Sequence, residues 1–244
     1  MIVIVLGMHR SGTSTFAGVL HMNKILMGNY ETFWPRPLAQ NPKGFYENYD
    51  FRKINDMILK RHDYDVKSYS SNIPMINLNE SLTFKMVKLL KKYSEKYSSW
   101  GWKDPRTCLT IFKWYEVMKS LGLKDQLKIV YVSRNASSVA RSLNKRNNLE
   151  IGKGLALWAE YSKRALDFCE TTNVPVFYCS FEHLLKSPEK ACSPLFKFLN
   201  KEIDINVLNS FVDKKISKNS IGANFKLPKS ISKLENRIND LVSK

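Results

Sequence analysis

Residues 2–20 constrain the fold more than any other stretch of this chain. Ile2-Val3-Ile4-Val5-Leu6 is a run of five apolar, mostly β-branched residues, the composition of a strand buried on both faces. Gly7 and Gly12 bracket a tight loop, and Thr13, Ser14 and Thr15 lead into Phe16-Ala17-Gly18-Val19-Leu20, where the apolar spacing becomes helical. A strand that turns through a glycine loop into a helix leaves the helix's first backbone N–H groups unpaired. Those groups and the helix dipole point at the loop, so the segment reads as an anion site.

The remainder alternates between the two periodicities. Met27 to Asn48 is dense in Pro, Gly, Asn and aromatic residues, which forbids a helix and marks a long, functional loop beside the glycine loop. Asp50 is placed to cap a helix carrying Phe51, Ile54, Met57 and Ile58, and residues 63–79 read as irregular surface. Leu82, Met86, Leu89, Leu90, Tyr93 and Tyr97 repeat at helical spacing. Ser99 to Lys103 is a short strand ended by Asp104-Pro105-Arg106, and a helix follows from Leu109 to Leu121 with Gly122 as its stop. Leu127 to Val132 is a strand followed by a helix opened by Ser137, then a long helix over 152–173, a strand over 175–179, and a helix started by Ser187-Pro188. This order predicts an α/β fold: a mostly parallel, doubly wound sheet flanked by helices, with sites at the carboxyl ends of its strands. We expect a single domain over 1–244 with a C-terminal helical tail at about 229–244, whose Ile231, Leu234, Ile238 and Leu241 pack on the body of the protein.

Composition narrows the partners. The net charge of +17 and pI near 9.7 favour an anionic ligand, but the lysines are spread along the whole chain rather than clustered with aromatics, which argues against a nucleic-acid-binding module. Cys108, Cys169, Cys179 and Cys192 form no C-x-x-C pair and lie in apolar segments, consistent with buried, reduced thiols. No stretch approaches the ~18–20 apolar residues of a membrane span, and the first apolar run is too short for a signal peptide. A cytoplasmic location is expected.

The Gly-x4-Gly spacing of Gly7 and Gly12 resembles the nucleotide-binding P-loop, which continues Gly-Lys-[Ser/Thr]. Here Thr13 occupies the lysine position, and the later strands end in Ser133-Arg134 and Ser180-Phe181-Glu182 rather than in a metal-holding Asp. The loop's positive charge has moved to Arg10. A second constellation runs from Tyr131 to Ser142: Arg134 leaves a strand end, and Ser142 stands eight residues on, in the next helix. A guanidinium and a hydroxyl of this kind suit a second phosphate, with a purely structural capping role for Arg134 as the alternative.

Together these segments resemble the sulfotransferase family, whose donor is 3′-phosphoadenosine 5′-phosphosulfate (PAPS) and whose fold is P-loop NTPase-like. His9 to Thr15 is similar to the family's 5′-phosphosulfate loop, and Arg134 with Ser142 to its 3′-phosphate motif. Trp102 to Arg106 is similar to a motif whose lysine approaches the sulfuryl group, and Asn41 to Glu47 to a stretch of microbial members. In the segment Phe181-Glu182-His183-Leu184-Leu185, Phe181 and His183 stand where the family has Tyr and Asp. The resemblance spans residues 1 to about 200. It implies in-line transfer of a sulfuryl group to an acceptor hydroxyl, with a carbohydrate as the candidate acceptor and no metal required. Arg10, Ser11, Gly12, Thr13, Ser14, Thr15, Arg134 and Ser142 would bind the donor, and Lys103 would serve the chemistry. An acceptor hydroxyl must lose a proton, and Glu47, in its Pro/Gly-shaped loop, is the expected base ahead of Glu31, Asp50 and His62. Trp34, Trp100, Trp102 and Phe45 are given no site, and Arg106 either meets an acidic acceptor or holds the Glu47 loop. The rival readings are a P-loop kinase or NTPase and a basic nucleic-acid-binding module; the oligomeric state and the acceptor are open.

Overall fold

Strands β1 (Ile2–Leu6), β2 (Trp100–Lys103), β3 (Leu127–Ser133) and β4 (Val176–Ser180) pair in the order β2-β1-β3-β4, every pair parallel. They belong to a computed structural model that describes residues 1–38, 41–212 and 225–243. Side chains alternate across the sheet with period two. Ile2, Ile4, Leu6, Trp100, Trp102, Ile129 and Tyr131 enter one apolar layer, and Val3, Val5, Val130, Val132 and Cys179 enter the other.

The first layer is covered by α2 (Tyr49–Lys60), α3 (Glu80–Lys96), α4 (Thr107–Ser120), α5 (Ala136–Asn147), α6 (Ile151–Thr171) and α10 (Lys229–Val242). The second is covered by α1 (Thr13–Met22), α7 (Phe181–Lys186), α8 (Pro188–Phe198) and α9 (Ile205–Phe211). The predicted α/β class, a parallel sheet with helices on both faces, is what forms. At the α2 side, Phe51 stacks on Trp102 with ring centroids 4.2 Å apart and meets Trp100 and Trp114. Trp100 and Trp102 are therefore core. Gly154 lets α6 approach α5 closely: a Cβ there would lie 3.1 Å from the Cα of Ala140. Ile231, Leu234 and Ile238 of α10 are buried against α6 and β4.

Some local expectations shift. Asn48, not Asp50, caps α2, because its Oδ1 accepts from the Asp50 N–H at 3.1 Å. Helix α5 begins at Ala136, one residue before Ser137. Residues 63–79 hold only a short 3₁₀ turn, yet they are not all surface: Tyr64, Ile73 and Ile76 enter the core, so irregular backbone conceals buried apolar side chains. All four cysteines are buried free thiols.

Strand order reverses at β1. The chain leaves β1 for β2 on one side, then crosses to β3 on the other. The crevice between the ends of β1 and β3 is where open α/β sheets place their ligands. The loop after β1 and the residues after β3 meet in that crevice.

Candidate active site

Gly7 is the hinge by which β1 enters the loop. Its φ is 151°, and a Cβ there would lie 2.6 Å from the Val132 carbonyl oxygen. Its N–H donates to Cys108 Sγ at 3.2 Å, and burial pushes that thiol up to about 12. Ser11 closes the loop through its N–H to the Met8 carbonyl at 3.2 Å. Gly12 then caps α1 in the left-handed region at φ 83°, where a Cβ would come within 2.1 Å of the Phe181 ring. A glycine cap brings no side chain to the first-turn N–H groups, and no acid lies in that turn. The amino end of α1 therefore keeps its positive pole open toward Ser14 and Thr15.

The amino end of α5 is different. Glu182 Oε1 accepts from the Asn135 N–H at 3.1 Å, and Glu235 Oε1, from α10, accepts from the Ala136 N–H at 2.7 Å. Protein carboxylates neutralise that pole, so the anion-receptive end of this crevice is α1's.

The two phosphate-type motifs touch. Arg10 Nε donates to Ser142 Oγ at 2.8 Å, and Arg134 Nη1 donates to the Arg10 carbonyl at 2.7 Å. Arg10 itself holds φ 70°, a left-handed conformation unusual for a non-glycine residue and of the kind stored at binding sites. Burial, then Arg146 and Arg134, pull the Arg10 guanidinium down from its ordinary 12.5 to about 10. Burial also lowers Arg134, partly offset by Glu182. Arg134 Nε is buried with no hydrogen-bond partner among the described residues, and its guanidinium lies 5.0 Å from the Phe181 ring centroid. Crowded, desolvated guanidiniums with an unused donor are stabilised by a bound anion. Phe181, wedged between Gly12 and Arg134, holds both in place by packing.

Lys103 ends β2 beside Val5, and Glu47 ends the Pro/Gly-rich loop just before the α2 cap. Lys103 Nζ donates to Glu47 Oε1 at 3.0 Å and to Ser14 Oγ at 3.2 Å. It is 1% exposed and Glu47 8%. One buried ammonium thus links the long loop to the first turn of α1. Arg52 Nη1 stands 3.7 Å from the other Glu47 oxygen, and Arg52 Nε 3.9 Å from Asp56. Thr13 is buried inward against Gly7, whereas Ser14 and Thr15 edge a small, shallow groove shared with Asn41, Lys43, Gly44, Leu185 and Phe211.

Arg106 is spent on structure: its guanidinium bonds Asp56 Oδ1 at 2.6 Å and Asp104 Oδ1 at 2.8 Å. Asp104 is fully buried and also accepts from Asn55 Nδ2 at 2.8 Å. Asn55 further accepts from Thr110 Oγ1 and Trp114 Nε1, at 2.7 and 2.8 Å. This network fixes the turn after Lys103. His62 bonds the backbone of Asn77, and Asp50 pairs with Lys92 at 3.5 Å. Neither of these two Glu47 rivals contacts Lys103. His9 is held neutral by burial, then by Arg106, which drop it from 6.5 to about 3, and its Nε2 has no hydrogen-bond partner among the described residues.

The fold has counterparts among solved proteins. The sulfotransferase domain from the curacin biosynthetic pathway superposes with a TM-score of 0.58 at 15% identity, covering 98% of this chain and 97% of that one. The sulfotransferase domain of the Synechococcus PCC 7002 olefin synthase gives 0.60 at 15%, over 98% and 94%. The chain has the sulfotransferase fold. A sulfotransferase from Mycobacterium avium gives 0.54 at 13%, over 98% of this chain and 76% of that one. No protein-family model and no curated protein matches the chain. Within this sulfotransferase fold, two residues beside the site escaped the motif reading. Arg52 is half-buried in the first turn of α2, with only its i,i+4 spacing to Asp56 as a signal. Asn55 falls four residues after Phe51, on the apolar face of α2, where a polar side chain signals a buried network.

Proposed function

We propose that this protein is a PAPS-dependent sulfotransferase. The observation that carries the reading is the convergence, at the strand-order reversal, of Arg10, Arg134 and Ser142 on one side and Lys103 with Glu47 on the other, across the open amino end of α1. The unused Arg134 Nε and the desolvated guanidiniums fit a ligand with two separate anionic groups. Bound there, the donor supplies the sulfuryl group and leaves as adenosine 3′,5′-bisphosphate.

The chain's own residues then have distinct tasks. Arg134 and Ser142 hold the 3′-phosphate, with Arg10 at the junction between the two anions. The N–H groups of the loop and of α1, with Ser14 and Thr15, hold the 5′ side. Lys103 places a buried ammonium where negative charge develops as the donor bond breaks, which is worth more in a dry site than in water. Glu47 takes the proton of the acceptor hydroxyl, and its separation from bulk water keeps that hydroxyl oriented. A P-loop kinase would carry the ammonium at position 13, where a buried Thr13 stands.

Calorimetry tests the reading. Adenosine 3′,5′-bisphosphate is expected to bind without Mg²⁺ and more tightly than ATP with Mg²⁺. Arg134→Ala is expected to weaken that binding by about 1.5–3 kcal/mol, the scale of a hydrogen bond to a charged group. The reverse order of affinities would refute the assignment.

A further inference from the structure

We propose that the acceptor is an acidic polysaccharide, seated on an aromatic shelf beside Glu47 and gripped by cations of α3 and the long loop. The inference rests on the sulfuryl-transfer reading for its chemistry, but the binding surface stands on its own observations.

The loop that buries Glu47 exposes three aromatic side chains next to it: Tyr30 is 74% exposed, Trp34 51% and, at the start of α2, Tyr49 45%. Short antiparallel backbone pairing joins the segment carrying Trp34 to the segment carrying Glu47 and Tyr49. Phe33 pairs with Asn48, the Trp34 N–H donates to the Glu47 carbonyl at 3.0 Å, and the Tyr49 N–H donates to the Thr32 carbonyl at 2.7 Å. Trp34 therefore stands opposite Glu47 in the backbone ladder. The outer turn of the loop adds a cation, since the Arg36 guanidinium lies 4.0 Å from the Tyr30 ring centroid.

Helix α3 runs along the same loop. Asn48 Nδ2 donates to Tyr93 Oη at 2.6 Å, Asn29 Nδ2 donates to Tyr97 Oη at 3.3 Å, and Lys92 pairs with Asp50 at 3.5 Å. Lys85, Lys88, Lys92 and Lys96 recur on its exposed side, a stripe of about 16 Å at ~1.5 Å per residue. Lysines that look scattered in the sequence are thus aligned on one side of α3, and Lys92 ties that side to Asp50 at the start of α2.

A small apolar acceptor would need an enclosed pocket that buries most of its surface. The Glu47 carboxylate itself is held by Lys103 and Arg52, and the segments that flank it in the backbone pairing carry exposed rings at Trp34 and Tyr49. Amphipathic rings stack on the C–H faces of sugars while remaining wet at their edges, and a cation stripe holds a repeating anion. Single-stranded nucleic acid also uses aromatic and cationic surface, but most of its hydroxyls are consumed in phosphodiesters. A polysaccharide offers free hydroxyls along its length. In the transfer the acceptor O–H bond breaks with its proton going to Glu47, and an O–S bond forms. The donor's bridging S–O bond breaks, with the electron pair leaving on the bisphosphate.

The test is binding of the full chain to chondroitin, alginate and heparin, with dextran and a deoxythymidine oligonucleotide of matched length as controls, measured by tryptophan fluorescence and affinity electrophoresis. At least one acidic polysaccharide is expected to bind with steep salt dependence and to outcompete both controls. Trp34→Ala, and separately Lys88→Gln with Lys96→Gln, are expected to weaken it by about tenfold or more while adenosine 3′,5′-bisphosphate binding is unchanged. No binding to any of the three, dextran binding equally, the oligonucleotide binding more tightly, or Trp34→Ala without effect would each overturn the proposal. Loss of the transfer reading shows differently: polysaccharide binding would persist with its Trp34 dependence, and the bisphosphate would not bind.

Discussion

Lys103→Met strips one charge from a pair that is almost wholly out of water. The ammonium and carboxylate lie 3.0 Å apart, with Lys103 1% exposed and Glu47 8%. Removing one partner of a buried pair strands the other and costs ~3–5 kcal/mol. Glu47 would keep Arg52 at 3.7 Å, so the low end, about 3 kcal/mol, is expected. Glu47→Gln leaves Lys103 an amide oxygen and Ser14 Oγ at 3.2 Å, and about 2 kcal/mol is expected, the penalty for an incompletely compensated buried charge. The double variant carries neither charge. It should lose only about 2 kcal/mol in total, because neutral replacements escape most of the desolvation cost. The singles thus over-predict the double by roughly 3 kcal/mol, the top of the range for residues in direct contact. Urea unfolding of the four proteins at one pH and salt concentration measures the cycle. Singles that add to within about 0.5 kcal/mol of the double would refute the claim that this pair acts as a unit.

Glu47→Gln is also expected to lower kcat by roughly 10²–10⁴ with donor affinity kept, as loss of a general base does; turnover that survives would move the base elsewhere. Gly12→Ala forces a Cβ to within 2.1 Å of Phe181 at φ 83°, adding ~1–2 kcal/mol of left-handed strain to ~1–3 of overpacking. Its Tm should fall, and Phe181→Leu should restore only the packing share; a Tm equal to the parent's would contradict the geometry. His9, held from 6.5 down to about 3, takes up its proton in the unfolded chain well before the folded one does. Stability should therefore decline as pH drops below 6.5, at ~1.36 kcal/mol per pH unit, reaching about 2 kcal/mol by pH 5. His9→Gln should remove that slope between urea titrations at pH 7 and 5, and equal slopes would clear His9 of the effect.

What the sequence made legible follows from how locally each feature is determined. The β1–loop–α1 unit is contiguous, and its strand, two glycines and helix are set by neighbours a few residues apart. Four short parallel strands likewise announce themselves as apolar runs between helices, which is enough for the fold class. Contacts between distant segments are harder. Glu47 and Lys103 are 56 positions apart, and nothing in the spacing of either says they share a buried salt bridge. The roles proposed for them rest on chemistry and resemblance, not on pattern. Arg52 was invisible because an arginine on a helix surface is ordinary until the loop folds against it. The same holds for the lysines of α3: evenly scattered in composition, they align only when helical geometry puts every third or fourth residue on one side. Asp50 was misread as a cap for a subtler reason. Asn48, two residues earlier, does the same chemistry, and helix boundaries chosen among adjacent Asx residues depend on the tertiary packing of Phe51.

The substitution at position 13 shows how a site can keep its electrostatics while changing which residue supplies them. In a P-loop the lysine rises from the first turn of the helix it serves. Here that position holds a buried Thr13 packed toward Gly7, and the natural sequence-level inference is that Arg10 inherits the charge. The side-chain geometry divides the inheritance. Arg10 turns to Ser142 on α5, and the ammonium beside α1's first turn comes from Lys103 on the adjacent strand. A lysine delivered from β2 differs from one in the loop because it can answer to Glu47 as well. The same Nζ that touches Ser14 Oγ holds Glu47 Oε1, so a single ammonium faces the first turn of α1 and holds the long loop at once. On the proposed function, Lys103 would steady both the loop that carries Glu47 and the donor beside α1, so one ammonium positions the base and the donor together. A P-loop lysine with no carboxylate partner could not make that connection.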